Sequence, residues 1–562
     1  GGTGCKTGKN QKQPASPADL VDAMLGVEMM YYSYDYFLMS GKDFDTDILG
    51  IWGLGSANIL SAPTMSHFAQ SRMSTFGRAN YNYKQRYYVT FNMRADGSSK
   101  FAPGSRVGYF PSMSLAWRAS KEDFMKVASK KWLDNLKVRA SVGSSGNDRI
   151  DDYAWMSTLG RVYYAEDGKS IVGYAPYSSA NEDLKWETTY QYNVGLDLTM
   201  FKSRVDFTFD AFYKDTRDML FKAALPSQSG FSKQWQNIGR VENRGLEFAL
   251  KTVNVKRGDF MWTTNVTFDL IRNKILDLGD GISEMPNPNV HKGNFKDDPT
   301  KLMVGQPIGI IWGYEWDGNY QLDEFQVYYK GTKVEVDPSL VTSANYNSFD
   351  YKLKKGVTSM NGTSVMPGDR KYKDLSGDGV VKESEDKKIL GSGMPDFSYG
   401  FGNTFAWRGL SLYVFFDGVY GREILNEFKA KSTPGSGNST HAYNITRESF
   451  YNAWTPENGS NSYARIMNSI NMQQPISSYY VEVGSYLRLK TIALSYNLPS
   501  KALKAMKMKG LSINFTVNNV YVWTRYGGLD PDISSNQSSF RALDRLTYPK
   551  GRTYTLGLTA NF

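Results

Sequence analysis

Residues 86–96 read Arg86-Tyr-Tyr-Val-Thr-Phe-Asn-Met-Arg-Ala-Asp96, and their side chains sort by parity. Tyr87, Val89, Phe91, Met93 and Ala95 share one face of an extended chain, and Tyr88, Thr90, Asn92, Arg94 and Asp96 share the other, because successive side chains of a strand point to opposite sides. The alternation returns in Gln191 to Met200, Arg204 to Tyr213, Trp262 to Leu270, Leu410 to Asp417, Leu511 to Asn518 and Tyr554 to Phe562. Segments of about ten residues suit a tilted bilayer crossing. Tyr, Trp or Phe often closes the apolar face, as an interfacial girdle requires, and the Arg, Asp and Asn of the other face suit an aqueous or plugged lumen. A large soluble β-protein also alternates, so alternation by itself leaves that alternative open.

Connection lengths separate the two. Fourteen strands are expected near 31–39, 76–83, 86–97, 109–119, 134–143, 190–201, 203–214, 244–254, 260–271, 397–407, 409–419, 485–497, 508–521 and 552–562. The connections between them alternate, with turns such as Lys84-Gln85, Lys202-Ser203 and Trp407-Arg408-Gly409 on one side and insertions such as 272–396 and 420–484 on the other. Tight periplasmic turns opposite long extracellular loops are the asymmetry of outer-membrane barrels, and a sandwich has no reason to produce it. The expected class is therefore all-β, a transmembrane antiparallel β-barrel in the outer membrane. The last strand adds a clue, since Tyr554, Leu556, Leu558, Ala560 and the terminal Phe562 resemble the closing-strand signal by which such barrels are assembled.

Composition fits this class. The 562 residues carry 66 Lys and Arg, 56 Asp and Glu and a net charge of +10, with 14% aromatics and one cysteine, and mean hydropathy is −0.47. No window holds the roughly 20 apolar residues of a spanning helix, and a lone Cys5 excludes a disulfide scaffold. Bases and acids interleave along the chain, which argues against nucleic acid as a partner.

Several stretches together resemble the barrel of SusC-like (RagA-like) TonB-dependent transporters of Bacteroidota. They are Phe76-Gly77-Arg78, Arg94 to Ser99, Gly108 to Ser112, Leu115 to Arg118, Leu136 to Gly143 with Gly146-Asn147, Leu184 to Glu187, Asn237 to Gly239, Glu242 to Glu247, Tyr486 to Lys490, Leu494 to Pro499 and Asp530-Pro531. The resemblance covers residues 26–562, with 1–25 unassigned. It implies a barrel of about 22 strands of which this is the C-terminal part, the plug domain, the TonB box and the first strands being absent from this chain. It also implies a nutrient importer rather than an enzyme. TonB would drive it through a region not present here, a SusD-like surface lipoprotein would cap it, and two such pairs would associate as a dimer. Oligosaccharides are the expected cargo, with oligopeptides as the alternative; a surface antigen or adhesin displayed on the same barrel is the other reading.

One ligand pattern stands out. Asp374, Ser376, Asp378, Val380 and Glu385, with Gly379 at the sharp turn, follow the spacing of an EF-hand-type loop and predict a structural Ca2+, although Ser376 and Lys382 lower the ligand charge. No cofactor for catalysis is expected. Trp312, Trp316, Tyr320, Tyr451, Trp454, Tyr479 and Tyr480 cluster in long insertions, as does Tyr314, and are candidate substrate-stacking rings. Gly2 to Asn10 imitates a phosphate-binding loop, but Thr3 stands where the leading Gly belongs and Asn10 replaces the Ser or Thr. His67, His291 and His441 lie far apart, with no nucleophile pattern beside them.

Overall fold

The computed structural model describes residues 19–279, 281–287, 290, 295–433, 444–466, 474–533 and 542–562. Cys5, the Gly2 to Asn10 stretch, His291 and His441 lie outside the described residues.

Fourteen long strands are hydrogen-bonded neighbours in chain order in one sheet. They are β1 (Asp19–Leu38), β2 (Thr64–Tyr83), β3 (Tyr87–Ser98), β4 (Val107–Trp117), β5 (Leu133–Asn147), β6 (Glu187–Met200), β7 (Val205–Arg217), β8 (Arg240–Arg257), β9 (Phe260–Asp277), β10 (Phe397–Trp407), β11 (Leu410–Tyr420), β12 (Tyr486–Asn497), β13 (Gly510–Thr524) and β14 (Thr553–Asn561). Every expected strand is present, and long and short connections alternate as expected. β1 and β2 are much longer than their alternation indicated, at 20 residues each. The reason is visible in Met29-Met30-Tyr31-Tyr32, where both faces carry apolar side chains and period two is lost. The chain forms two compact units, residues 1–196 with 212–240 and residues 197–211 with 241–562.

In the first unit, β1 pairs with β2 from Asp19↔Tyr83 to Leu38↔Thr64, and β2, β3, β4 and β5 follow antiparallel. The parity of β4 shows how the faces divide: Val107, Tyr109, Met113, Leu115 and Trp117 are exposed, while Phe110 on the opposite face is buried. A contiguous apolar surface of this extent is untenable in water and is what hydrocarbon requires. The β2–β3 turn is tight because Lys84 and Gln85 both take left-handed backbone, φ 50° and 53°, the geometry that matches the twist of a hairpin.

In the second unit, β9 to β14 continue antiparallel, with Phe260↔Trp407 and Phe397↔Tyr420 among the pairs. Gly409 closes the β10–β11 turn at φ +88°, and a side chain there would strike the Asn497 carbonyl. The long connections of this unit fold into small sheets of their own. Ile310–Tyr314 pairs with Lys387–Ser392, and Phe325–Tyr329 lies between Glu335–Val336 and Phe349–Leu353. Three separate insertions supply one core, since Phe295 and Ile311, Leu425 and Tyr480, and Ala542 and Leu543 pack together. Burial of this kind lets a hundred-residue insertion fold rather than remain a loose loop.

Candidate functional site

Even-numbered positions of β1 to β4 converge on a polar surface. Arg94 on β3 is its centre: Nη2 donates to Glu28 Oε2 and to Ser74 Oγ, each at 2.9 Å, and Nε donates to Asp96 Oδ1 at 2.6 Å. Its guanidinium carbon also lies 5.4 Å from the centroid of the Phe76 ring. Around it Arg78 Nε donates to Asn92 Oδ1 at 2.7 Å, Asn92 Nδ2 to Ser112 Oγ at 3.1 Å and Thr90 Oγ1 to Asn80 Oδ1 at 2.9 Å. Arg78, Asn92, Arg94, Asp96 and Ser112 border a cavity of about 580 Å³ that Phe76 and Phe110 help to line. The Phe110 ring occupies the space a Cβ would take on Gly108 or Gly146, which gives those two glycines of the sequence motifs a packing reason. Charge-paired, hydrogen-bonding walls are suited to holding a polar solute or a polar protein surface, since each donor and acceptor is already oriented.

Above this surface, toward the long connections, Asp148 accepts from Arg72 and from Ser98 Oγ at 2.8 Å. Arg217 and Arg240 both grip Asp215, at 2.7 Å each. Sequence reading placed Arg94 and Asp96 on the polar face but missed Glu28, because the strand carrying it does not alternate cleanly.

Burial corrects the stacking assignment for three of the candidate rings. Tyr480 is 0% exposed, Tyr320 1% and Trp454 3%, so none of them has a face to offer a ligand. They are the aromatic core of the insertions. Trp316 meets Tyr479 edge-on at 4.9 Å, and Tyr479 meets Tyr480 at 5.0 Å. The Arg370 guanidinium lies over Tyr479 at 3.8 Å, and Trp454 donates Nε1–H to Gln321 Oε1 at 3.1 Å. Tyr314 is buried beside Tyr372, and Trp312 carries the Lys301 ammonium 4.7 Å from its ring centroid. Tyr451, at 69% exposed and edge-on to Phe450, keeps an open face. The β-hairpin Leu159–Glu166 with Lys169–Pro176 adds exposed rings that sequence reading passed over, namely Tyr163, Tyr164 and Tyr174.

The Asp374–Glu385 segment forms a tight loop held by its own side chains. Asp374 accepts from the amides of Gly377 and Gly379 at 2.7 and 2.6 Å and from Ser376 Oγ at 3.0 Å. Buried Asp386 takes the amides of Leu375, Ser376 and Lys382 at 2.8, 2.9 and 2.6 Å. Lys382 bridges Asp378 and Glu385 with its ammonium. Val380 offers its amide to Asp378. Among the described residues, no three acidic, His or Cys side chains gather in a metal-binding group.

Protonation should open this loop. The Gly379 amide above all holds the Asp374 carboxyl below its ordinary value, and Lys382 does the same for Asp378. A depressed carboxyl stabilises the fold above its unfolded value near 3.8 and loses that contribution as pH falls through the folded value. Amide exchange at Gly377 and Gly379, corrected for intrinsic rate, is expected to stay slow at neutral pH and to accelerate sharply below the ordinary aspartate value. Protection that survives full protonation would contradict the carboxylate as the clasp.

In β14, Tyr554, Leu556, Leu558 and Phe562 are all exposed, 63 to 79%, on the strand that forms one edge of the sheet. Their alternation with Thr555, Gly557 and Thr559 sets an apolar stripe along one face of the strand.

Together, the outward apolar face, the polar inner face and the one-sided elaboration of connections define an outer-membrane antiparallel β-barrel. The model of the TonB dependent receptor-like β-barrel family matches residues 13–520, and the chain belongs to that family. TonB-dependent receptor P3 of Formosa agariphila is 32% identical over 547 residues, 94% of this chain and 50% of that protein. SusC of Bacteroides thetaiotaomicron is 28% identical over 509 residues, 87% of this chain and 44% of that protein. The RagAB peptide importer in its closed-closed state superposes with a TM-score of 0.73 at 23% identity, covering 98% of this chain and 54% of that one. The chain thus spans about half the length of the curated relatives it matches.

Proposed function

We propose that this chain is the membrane-spanning part of a TonB-dependent importer for oligosaccharides, working with a SusD-like surface lipoprotein on its long-loop side. The observation that carries the reading is the Arg94-centred polar surface, backed by an apolar outer face and set below elaborated outer connections. Such a surface gives a hydrophilic cargo, or the plug that gates it, a path through hydrocarbon. Similarity to SusC supports the importer class, and the open rings of Tyr163, Tyr164, Tyr174 and Tyr451 are flat apolar faces of the kind that pack on sugar rings. Peptide cargo, that of the RagAB importer, is the second reading; at 23% identity that likeness carries the fold and not the cargo. No step of this role requires a catalytic residue.

The experiment is uptake of labelled oligosaccharide and oligopeptide pools by cells carrying the full-length protein, with and without a protonophore. Energy-dependent uptake of the oligosaccharides alone is the expected result. Uptake of peptides alone would move the proposal to the second reading, and uptake of neither would remove it.

We further propose that Ca2+ stiffens the Asp374–Glu385 loop only weakly, in the range of about 10⁻⁴ to 10⁻³ M seen in extracellular modules, because the ion must displace the Lys382 ammonium from Asp378 and Glu385. Lys382→Ser is expected to increase calcium-dependent protease resistance of this loop. Identical digestion of both forms in millimolar calcium and in chelator would end the calcium reading.

A further inference from the structure

The short connections hold most of the net charge of the chain. Residues 84–86, 118–132, 201–204, 258–259, 408–409 and 498–509 carry fourteen Lys or Arg against the three acids Glu122, Asp123 and Asp259, a net of +11, while the whole chain has +10. Along the sequence this concentration is disguised, because each basic turn is separated from the next by a long, acid-containing insertion. Four of these connections are minimal turns. The other two, 118–132 and 498–509, are longer, and each forms a short helix, Lys126–Lys131 and Ser500–Ala505.

In the first unit, the 118–132 connection is amphipathic in a specific way. Phe124 and Val127 stand 71% and 67% exposed, and Trp132 is exposed beside them. Phe124 contacts Trp117 at a ring separation of 6.4 Å. Trp117 ends the outward apolar stripe of β4, so that stripe runs off the strand and onto the connection without a break. The two acids are engaged locally: Glu122 accepts from Trp117 Nε1 at 3.2 Å and from Arg86 Nη1 at 3.0 Å, and Asp123 pairs with Lys126 at 2.7 Å. Lys121, Lys130 and Lys131 are exposed around the apolar side chains.

We infer that residues 118–132 are an interfacial anchor that lies on the periplasmic leaflet of the outer membrane and binds its anionic phospholipid headgroups. Phe124 and Val127 enter the boundary between headgroup and acyl chain, and the lysines meet the phosphates, the division of labour found in amphipathic membrane-surface segments. Continuity with the lipid-facing stripe and the complementary charge both select this occupant over a soluble periplasmic protein. In the second unit, Lys501, Lys504, Lys507 and Lys509 with exposed Met506 and no acid in 498–509 repeat the same chemistry on a connection of the same parity.

The test places a nitrobenzoxadiazole dye on Val127→Cys in a background in which Cys5 and any other cysteine of the full-length protein are replaced by Ser. The full-length protein is reconstituted in nanodiscs of phosphatidylcholine with or without phosphatidylglycerol. With phosphatidylglycerol the dye emission is expected to shift to the blue and to be quenched by doxyl-labelled acyl chains. Both effects are expected to vanish with phosphatidylcholine alone or after K121Q, K126Q, K130Q and K131Q together. The heat-dependent gel shift reports whether that variant is folded, and the same dye on Tyr163→Cys, in an outer hairpin, should stay accessible to iodide throughout. A dye at 127 that remains iodide-accessible in phosphatidylglycerol overturns the proposal, as does lipid quenching that ignores both phosphatidylglycerol and the lysines. Protection seen only in native outer-membrane vesicles would assign the segment to a protein partner instead.

Discussion

Arg488→Met is expected to release residues 525–533 while leaving the strands assembled. Arg488 on β12 and Asp530 in that segment are nearly devoid of solvent contact, 4% and 7% by side chain, and pair at 2.5 Å. Asp530 also accepts from the Asp532 amide at 2.9 Å, and the neighbouring Pro531 carbonyl accepts from the buried Arg422 guanidinium. Removing one partner strands a buried carboxylate, at a cost of about 3–5 kcal/mol. The substitution should therefore expose residues 525–533 to limited proteolysis while the heat-dependent gel shift of the folded barrel persists. Arg488→Met combined with Asp530→Leu should recover much of the loss, because a buried pair replaced by apolar side chains costs little. Unchanged digestion of the single variant would show that this pair does not hold the segment. The two residues come from separate stretches of the sequence, Tyr486 to Lys490 and Asp530-Pro531, which this contact joins.

Trp454→Ala should unfold part of the outer insertions, and Tyr451→Ala, three residues away, should not. Trp454 packs edge-on to Tyr346 with ring centroids 6.0 Å apart, covers Gly368 and donates to Gln321. Loss of a buried Trp costs about 3–5 kcal/mol, enough to make residues 320–370 and 444–466 susceptible to protease. Tyr451 is open to solvent, and a surface change of this kind stays within about 0.5 kcal/mol. If Tyr451 serves the cargo, Tyr451→Ala lowers sugar affinity without altering the digestion pattern. The reverse outcome, lost binding with an intact insertion in Trp454→Ala, would restore Trp454 as a ligand residue and contradict its assignment to the core.

The strands were legible because alternation is a local property. In β3 and β4 one face meets hydrocarbon and the other meets a polar interior, so nearly every residue reports its side. β1 was read short where Met29, Met30, Tyr31 and Tyr32 erase that contrast. The insertions were illegible for the opposite reason. Phe295, Leu425, Tyr480 and Leu543 meet across hundreds of residues of sequence, and an aromatic in such a segment looks the same whether it packs inward or waits for a sugar. Burial decides, and burial of this kind is a long-range property. Charge behaved likewise, since the +11 of the short connections appears only after the strands have been assigned. Along the sequence the loop at Asp374 has the spacing of a calcium loop, and the Lys382 ammonium that stands between Asp378 and Glu385 is visible only in three dimensions.

Purification of the protein from native outer membranes in mild detergent, followed by mass spectrometry of everything retained, tests the importer reading most directly. The expected result is a stoichiometric surface lipoprotein together with an oligosaccharide held by the complex. A homogeneous barrel carrying neither partner nor cargo would contradict it.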